Sequence, residues 1–392
     1  MAGPLGQIKV LEMANVISGP YAGMLLADLG AEVIKVEMPG TGDYFRLWDG
    51  KQGAVRPSFA GYNRGKKSVT LNVQTKSGRE VYLRLASKVD VVLENFRPGT
   101  LDRFGVGYEV IQRANPSVIY CAISGMGSSG PYCNRPTYDA IAQAMSGLWS
   151  QLTDIRQPEP VGPPMCDQLS GIYAAYGVLA ALLSRSSTGH GQKLEVNMLA
   201  AGLAFQPTPI ADYAMTGEIA DKVSRAHRSQ SYAFVASDGL PFAIHLSTPP
   251  KFWRGLVKVA GLPDLLRDPR FATKAGRIKS YDIIRDRLGE VFRTRPRAEW
   301  LAKLEEQDVP AGPIYNVAEA IGDKQVRHIG MVKTFGQGDR ALQLVGFPVA
   351  YSRTPCEPDL PVPDVGEHNE AIFHELGYTE KDLAGMKDEG AI

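Results

Sequence analysis

The chain has 392 residues, 44% hydrophobic and 22% charged, the mix of a globular protein long enough for two domains or for one large domain with a satellite. A formal net charge of +1 excludes a global field that would recruit nucleic acid or an anionic membrane, so an anionic ligand must be held by local basic residues. No basic start followed by an apolar block opens the chain, the longest apolar run (Gly171 to Leu183) falls short of the roughly 20 residues a bilayer requires, and Cys121, Cys133, Cys166 and Cys356 form no CxxC pair, so a cytoplasmic protein with reduced thiols, no metal site and no membrane or nucleic-acid partner is expected.

The first forty residues read as a β-α-β unit: an apolar strand over Gln7 to Met13, helix-start chemistry at Ser18-Gly-Pro20, a helix over Tyr21 to Leu29 and a β-branched strand over Glu32 to Val36. The alternation continues with strands over Lys67 to Leu71, Lys88 to Leu93, Ser117 to Ser124 and Gly191 to Asn197. Helices are expected over Lys76 to Ser87, Tyr108 to Ala114, Thr137 to Leu152 and Gly171 to Ser184. Such alternation predicts an α/β fold with a parallel sheet and right-handed crossovers. Residues 205–230 mix Pro, Gly and polar residues and read as a connector. From Ser231 the pattern changes to a hairpin, Tyr232 to Ala236 and Pro241 to His245, followed by amphipathic helices over Pro250 to Ala260, Tyr281 to Phe292 and Arg297 to Gln307. Residues 231–308 therefore read as a smaller α+β domain, and 309–392 as a Pro- and Gly-rich stretch with short strands and a final helix near Thr379 to Gly385.

Gly125-Met-Gly-Ser-Ser-Gly130 matches GxGxxG after a strand, but Pro131 to Pro136 follows it and no helix can open there. A nicotinamide-dependent oxidoreductase is thereby disfavoured, while a glycine loop that lets a ligand approach the backbone is retained. Asp167, after Gly162-Pro-Pro-Met-Cys166, precedes an apolar helix and reads as its N-cap, where the helix dipole would favour the ionised carboxylate. Cys166 is a rival nucleophile or simply a buried small residue. Asn63 to Lys67, and Asn95-Phe-Arg-Pro-Gly99 with Arg103, are the densest polar signals of the first half. They read either as phosphate and base contacts or as solvated loops.

In order and number these segments resemble the class III CoA-transferases, the CaiB/BaiF or formyl-CoA transferase-like family. The similar stretches are Leu5 to Leu11, Ser18 to Pro20, Leu26 to Glu37, Pro39-Gly40, Asn63 to Lys67, Glu94 to Gly99, Ile123 to Gly127, Gly130-Pro131, Arg185 to Gln192, Val309 to Pro313, Gly366 to His368 and Leu376 to Tyr378. The resemblance implies a large Rossmann-like, CoA-binding domain made from residues 1–204 and the returning 309–392, a small domain between them, and an interlocked homodimer. It implies Asp167 as the catalytic carboxylate, CoA contacts from Val16, Ile17, Lys66, Asn95, Phe96 and Arg103, and Tyr138 near the acyl end. No cofactor is implied to be permanently bound; coenzyme A and acyl-CoA are substrates. Two departures stand out. Met38 occupies a position where family members often carry Arg, and the glycine-run lid of formyl-CoA transferase is absent between Tyr232 and Ser247, which argues against oxalate and formyl-CoA as the substrate pair.

The implied chemistry moves CoA from an acyl-CoA thioester to a small carboxylic acid through an aspartyl mixed-anhydride or thioester intermediate, with backbone N–H groups near Gly125 and Gly127 as candidate oxyanion donors. An α-methylacyl-CoA racemase would instead need a His-Asp pair where this chain has Tyr138-Asp139, and Tyr is a poor base at neutral pH. A CoA-binding protein without catalysis is a further alternative. Arg46, Arg64 and Arg135 are candidates for the second carboxylate of a diacid, with succinyl-CoA as the donor.

Overall fold

The structure, a computed structural model, describes residues 3–48, 56–356 and 361–392. Its larger compact unit comprises residues 1–149, 160–207 and 329–392, and the smaller one 150–159 and 208–328.

In chain order the larger unit contains β1 (Lys9–Met13), α1 (Ser18–Asp28), β2 (Glu32–Glu37), α2 (Pro57–Asn63), β3 (Lys66–Thr70), α3 (Lys76–Ala86), β4 (Val91–Glu94), α4 (Thr100–Arg103), α5 (Tyr108–Ala114), β5 (Ile119–Ser124), α6 (Asp139–Met145), α7 (Met165–Thr188), β6 (Gln192–Asn197) and α8 (Met198–Ala204). The six strands form one sheet in the order β3-β2-β1-β4-β5-β6, parallel throughout. Alternation of side chains sends Leu11, Ile34, Val36 and Val92 to one face, against Val81, Tyr82 and Leu85 of α3 and Ile372, Phe373, Leu376, Leu383 and Met386 near the C-terminus. Val10, Val33, Val91, Leu93, Ile119 and Cys121 face the other way, against Ala22 and Leu26 of α1 and Ala174, Val178 and Ala181 of α7. Both faces are covered, which is why these strands read as nearly continuous apolar runs.

Helix α7 is longer than the sequence suggests. It starts at Met165 rather than near Gly171 and ends at Gly189, whose φ of 73° terminates it. By length and composition alone it would reach across a bilayer, yet Ser170, Gly171, Ala174, Ala175 and Val178 are buried within the fold. Gly171 is required there, since a Cβ would sit 2.9 Å from the Ser18 carbonyl oxygen. The helix expected over Thr137 to Leu152 is instead the short α6 followed by a 3-10 turn at Leu148–Gln151, broken at Gly147 with φ 81°.

In the smaller unit, β7 (Ser231–Val235), β8 (Pro241–His245) and β9 (Ala311–Pro313) make an antiparallel sheet. Its core joins Tyr232, Phe234 and Phe242 to Trp253, Leu256, Ile284, Leu288, Phe292, Trp300 and Leu304 from the helices. The stretch read as a connector, 205–230, carries helices over Pro207–Thr216 and Ser224–Ser229. At the other end of the chain, Asn369–Glu375 forms a helix that the sequence pattern did not signal.

Candidate active site

The sheet order reverses between β1 and β4, so the chain leaves their carboxyl ends in opposite directions and opens a crevice, the place where open α/β sheets bind ligands. Two loops line it, Ala14–Ile17 after β1 and Asn95–Gly99 after β4. The Asn95 side chain ties them together: its Oδ1 accepts the Asn15 N–H at 2.9 Å, and its Nδ2 donates to the Asn15 carbonyl at 2.7 Å and to the Ser18 hydroxyl at 3.1 Å. Between these contacts Val16 has φ 69°, a left-handed conformation that is sterically costly for a β-branched residue, by about 1–3 kcal/mol. The Val16 N–H is taken by the Asp43 carboxylate at 3.0 Å.

Beneath the loop lies a buried ionic network. Glu12 on β1 and Lys35 on β2 are register partners, and Lys35 Nζ reaches Glu12 at 3.0 Å, Asp43 at 2.9 Å and the Ala14 carbonyl at 2.7 Å. Lys66 Nζ meets the other Glu12 oxygen at 2.8 Å, Asn63 Oδ1 at 2.9 Å and the Pro20 carbonyl at 2.8 Å. Gly23 leaves room for this network, because a Cβ there would fall 1.8 Å from Glu12 Oε2. Burial opposes charge on Lys35, but Asp43 and Glu12 hold its pKa above the ordinary value; burial lowers Lys66 to about 8. Lys66, expected to touch CoA, is thus enclosed and fully occupied by protein oxygens.

Asp167 lies in the first turn of α7, three residues past the N-cap Pro164, so it is not the cap expected from the sequence. Asp139, at the start of α6, does that work from outside: its Oδ1 accepts the Asp167 N–H at 3.1 Å. Gln143 steadies Asp139, donating from Nε2 both to Asp139 Oδ2 and, at 3.0 Å, to the Pro163 carbonyl. The nearby Ser18 hydroxyl favours the ionised form of the Asp167 carboxyl. Burial, reinforced by the Asp139 charge and opposed by Ser18, pushes Asp167 up to about 7. The helix dipole therefore does not keep this carboxyl in the ordinary acidic range; near neutral pH both its protonated and its ionised form are populated. Gln168 next to it donates to the Tyr62 hydroxyl at 3.1 Å. Burial, with Asp139 adding to it, lifts the Cys166 thiol to about 12, which disfavours its thiolate at neutral pH.

The structure places the remaining expected residues unevenly. Ile17 is buried at the head of α1, its carbonyl accepting the Tyr21 N–H. Phe96 is half-buried and Arg103 exposed, its guanidinium reaching Thr100 at 3.2 Å. Together with Glu94, Tyr120, Ser124 and Glu195, Phe96 lines a cavity of about 260 Å³; burial lifts the Glu94 carboxyl to about 7 against the hydrogen bond it accepts from the Phe96 N–H. Tyr138 is 73% exposed and immediately precedes Asp139. Gly125 packs under Thr137, and the Gly127 N–H is spent on Ser124 Oγ at 3.1 Å, so Gly127 is not an available oxyanion donor. Two of the three candidate diacid arginines are committed internally: Arg46 pairs with Glu37 at 2.7 and 2.8 Å, and Arg64 with Asp28. Arg135 is exposed, over the Tyr132 ring.

Sequence reasoning named Ser18 only as helix-start chemistry and Asp139 only as the neighbour of Tyr138, and did not single out Asp43, Gln143, Glu12 or Lys35; for the last two a signal was available. Glu12 and Lys35 are charges inside otherwise apolar runs that become strands buried on both faces, where an unpaired charge would be prohibitive.

Residues 5–369 match CoA-transferase family III. The chain is 35% identical to succinyl-CoA–D-citramalate CoA-transferase of Chloroflexus aurantiacus over 401 aligned positions, covering 99% of this chain and 98% of that protein. It is 34% identical to succinyl-CoA:glutarate CoA-transferase of Mus musculus over 396 positions, covering 99% and 90%. A crystal structure of a CaiB/BaiF family protein from Brucella suis superposes with a TM-score of 0.85 at 33% identity, covering 96% of this chain and all of that one. The chain belongs to CoA-transferase family III, and it is an enzyme.

Proposed function

We propose that this protein moves CoA from a dicarboxylic acyl-CoA, such as succinyl-CoA, to a small carboxylic acid, with Asp167 as the covalent nucleophile. The observation that carries the reading is the buried Asp167 carboxyl itself, on a residue whose N–H Asp139 holds and close to Ser18, which Asn95 of the crevice loop bonds. Ionised Asp167 attacks the thioester carbon, the C–S bond breaks, and the CoA thiolate stays bound beside the mixed anhydride. The acceptor carboxylate attacks the Asp167 carbonyl carbon and expels the donor acid. The thiolate then captures the new acyl group and frees the Asp167 carboxylate. Val16, Asn95, Phe96 and Arg103 are assigned to the CoA side of the crevice and Tyr138 to the acyl side. Arg135, the one candidate arginine not taken up by an internal carboxylate, is assigned to the second carboxylate of the diacid. The Chloroflexus aurantiacus and Mus musculus relatives are named as succinyl-CoA-dependent transferases, which supports this donor class.

A homodimer is part of the same reading. Ile172, Tyr173, Tyr176 and Leu183 are exposed along α7, and Tyr213, Met215 and Ile219 are exposed in the smaller unit, apolar side chains that a second copy would cover. Incubating the enzyme with an acyl-CoA panel plus hydroxylamine tests the chemistry. A hydroxamate at Asp167 names the donor, whereas deuterium entering an acyl-CoA α-carbon without transfer would replace this reading with the racemase.

A further inference from the structure

We propose that the buried Lys35–Asp43 ion pair is a positioning device for the transfer reaction, clamping the Ala14–Ser18 segment in the one backbone form that presents Val16 to acyl-CoA and the Ser18 hydroxyl to Asp167. The inference rests on the reading of Asp167 as nucleophile and goes beyond it by naming residues that act without touching substrate.

The hydrogen bonds of the arch make the case. From Ala14 to Val16 its backbone groups are held by side chains from other elements. Lys35 Nζ holds the Ala14 carbonyl at 2.7 Å, Asn95 holds both polar groups of Asn15, and Asp43 Oδ1 holds the Val16 N–H at 3.0 Å. Lys35 and Asp43 meet at 2.9 Å, so one ion pair grips both ends of the arch while Asn95 grips its middle. Both side chains of the pair are wholly buried, which leaves them no route to a ligand except through the backbone they hold. Asp43 is itself fixed: its N–H donates to Glu37 at 2.9 Å, and its Oδ1 also accepts the Phe45 N–H at 2.8 Å. A β-branched residue does not keep φ 69° unaided. Released, Val16 would relax toward negative φ and shift Ser18, which Asn95 holds at 3.1 Å and whose hydroxyl favours the ionised form of Asp167.

The isosteric change Asp43→Asn isolates the charge. It keeps an oxygen for the Val16 and Phe45 N–H groups and turns amide hydrogens toward the Lys35 ammonium. The expected result is a rise in the acyl-CoA KM and a fall in the single-turnover acylation rate, each roughly tenfold, in protein that melts as a folded enzyme. The V16G background separates positioning from general damage, because glycine adopts positive φ freely. There Asp43→Asn should cost no more than about twofold in acylation rate, the remainder expected when backbone strain no longer needs the clamp. Equal losses in both backgrounds, or kinetic constants within about twofold of wild type for Asp43→Asn alone, would overturn the proposal. If Asp43→Asn does not fold, hydrogen exchange of the wild-type Val16 amide decides: slow exchange in the free enzyme is expected, and exchange at the rate of an unprotected loop overturns the clamp. Wild-type enzyme that forms no acyl adduct on Asp167 would instead defeat the reading on which this inference rests.

Discussion

The pH dependence of acylation follows directly from the surroundings of Asp167. Burial and then the Asp139 charge lift this carboxyl to about 7, against the Ser18 hydroxyl, with Tyr62 and Cys166 the other titratable groups coupled to it. In the proposed mechanism only the ionised form attacks. About one molecule in ten is then ionised at pH 6 and about nine in ten at pH 8. With saturating acyl-CoA, the single-turnover rate measured by rapid quench and mass spectrometry of the α7 peptide should climb about tenfold per unit below pH 6 and level off above pH 8. Asp139→Asn removes the like charge while keeping an oxygen for the Asp167 N–H, and should move the midpoint downward. Stability must respond with the opposite sign. A carboxyl whose folded pKa exceeds its unfolded value costs nothing at low pH and progressively more as pH rises from 3.8 through 7, a shift worth about 4 kcal/mol at 1.36 kcal/mol per unit. Asp167→Asn should therefore stabilise the protein by up to about 4 kcal/mol at pH 8 and by little at pH 4. An acylation profile flat from pH 5 to 8, or a gain in stability over wild type no larger at pH 8 than at pH 4, would refute the reasoning.

Other perturbations have equally definite outcomes. Asp167→Ala should abolish turnover and hydroxamate formation while CoA binding, followed by calorimetry, is retained. Asn95→Ala removes the hydrogen bonds that hold Asn15 and Ser18 and should raise the CoA Kd by about tenfold or more, with chemical denaturation showing a loss of about 1–3 kcal/mol. Arg64→Leu leaves the Asp28 carboxylate buried without its partner and should cost about 3–5 kcal/mol of stability by urea unfolding. Arg135→Gln should lower kcat/KM for diacid substrates selectively; equal losses with mono- and diacids would remove Arg135 from the acyl site.

The strand and helix order of the larger unit could be read from apolar alternation because its sheet is buried on both faces, which makes β1, β2, β4 and β5 unmistakable runs. Helix α6 was overdrawn because Gly147, at φ 81°, ends a pattern whose apolar residues continue beyond it. The site was legible only in outline. Asp167 stands out beside two prolines and an apolar helix, but its neighbours Ser18 and Asp139 lie at the starts of other helices distant along the chain, and no local pattern announces contacts between separate helices. Dense polar clusters misled for a related reason. Lys66, Arg46 and Arg64 look like surface phosphate and carboxylate binders in one dimension, yet each neutralises a buried carboxylate from a neighbouring element.

The C-terminal segment closes the sheet that the N-terminus begins. The Asn369 side chain bonds Thr70 N–H at 2.8 Å, the Gly366 N–H donates to Ser68 Oγ at 3.0 Å, the Asn72 N–H donates to the Ala391 carbonyl at 2.8 Å, and Ile372, Phe373, Leu376, Leu383 and Met386 complete one apolar face. On a ribosome, then, β3 and that face must wait, sticky and unsealed, until nearly the whole polypeptide has been made, while the smaller unit emerges in between with a core already complete. Nascent chains stalled after residue 328 should engage holdase chaperones through the uncovered side of the sheet, and releasing about sixty further residues should end that engagement.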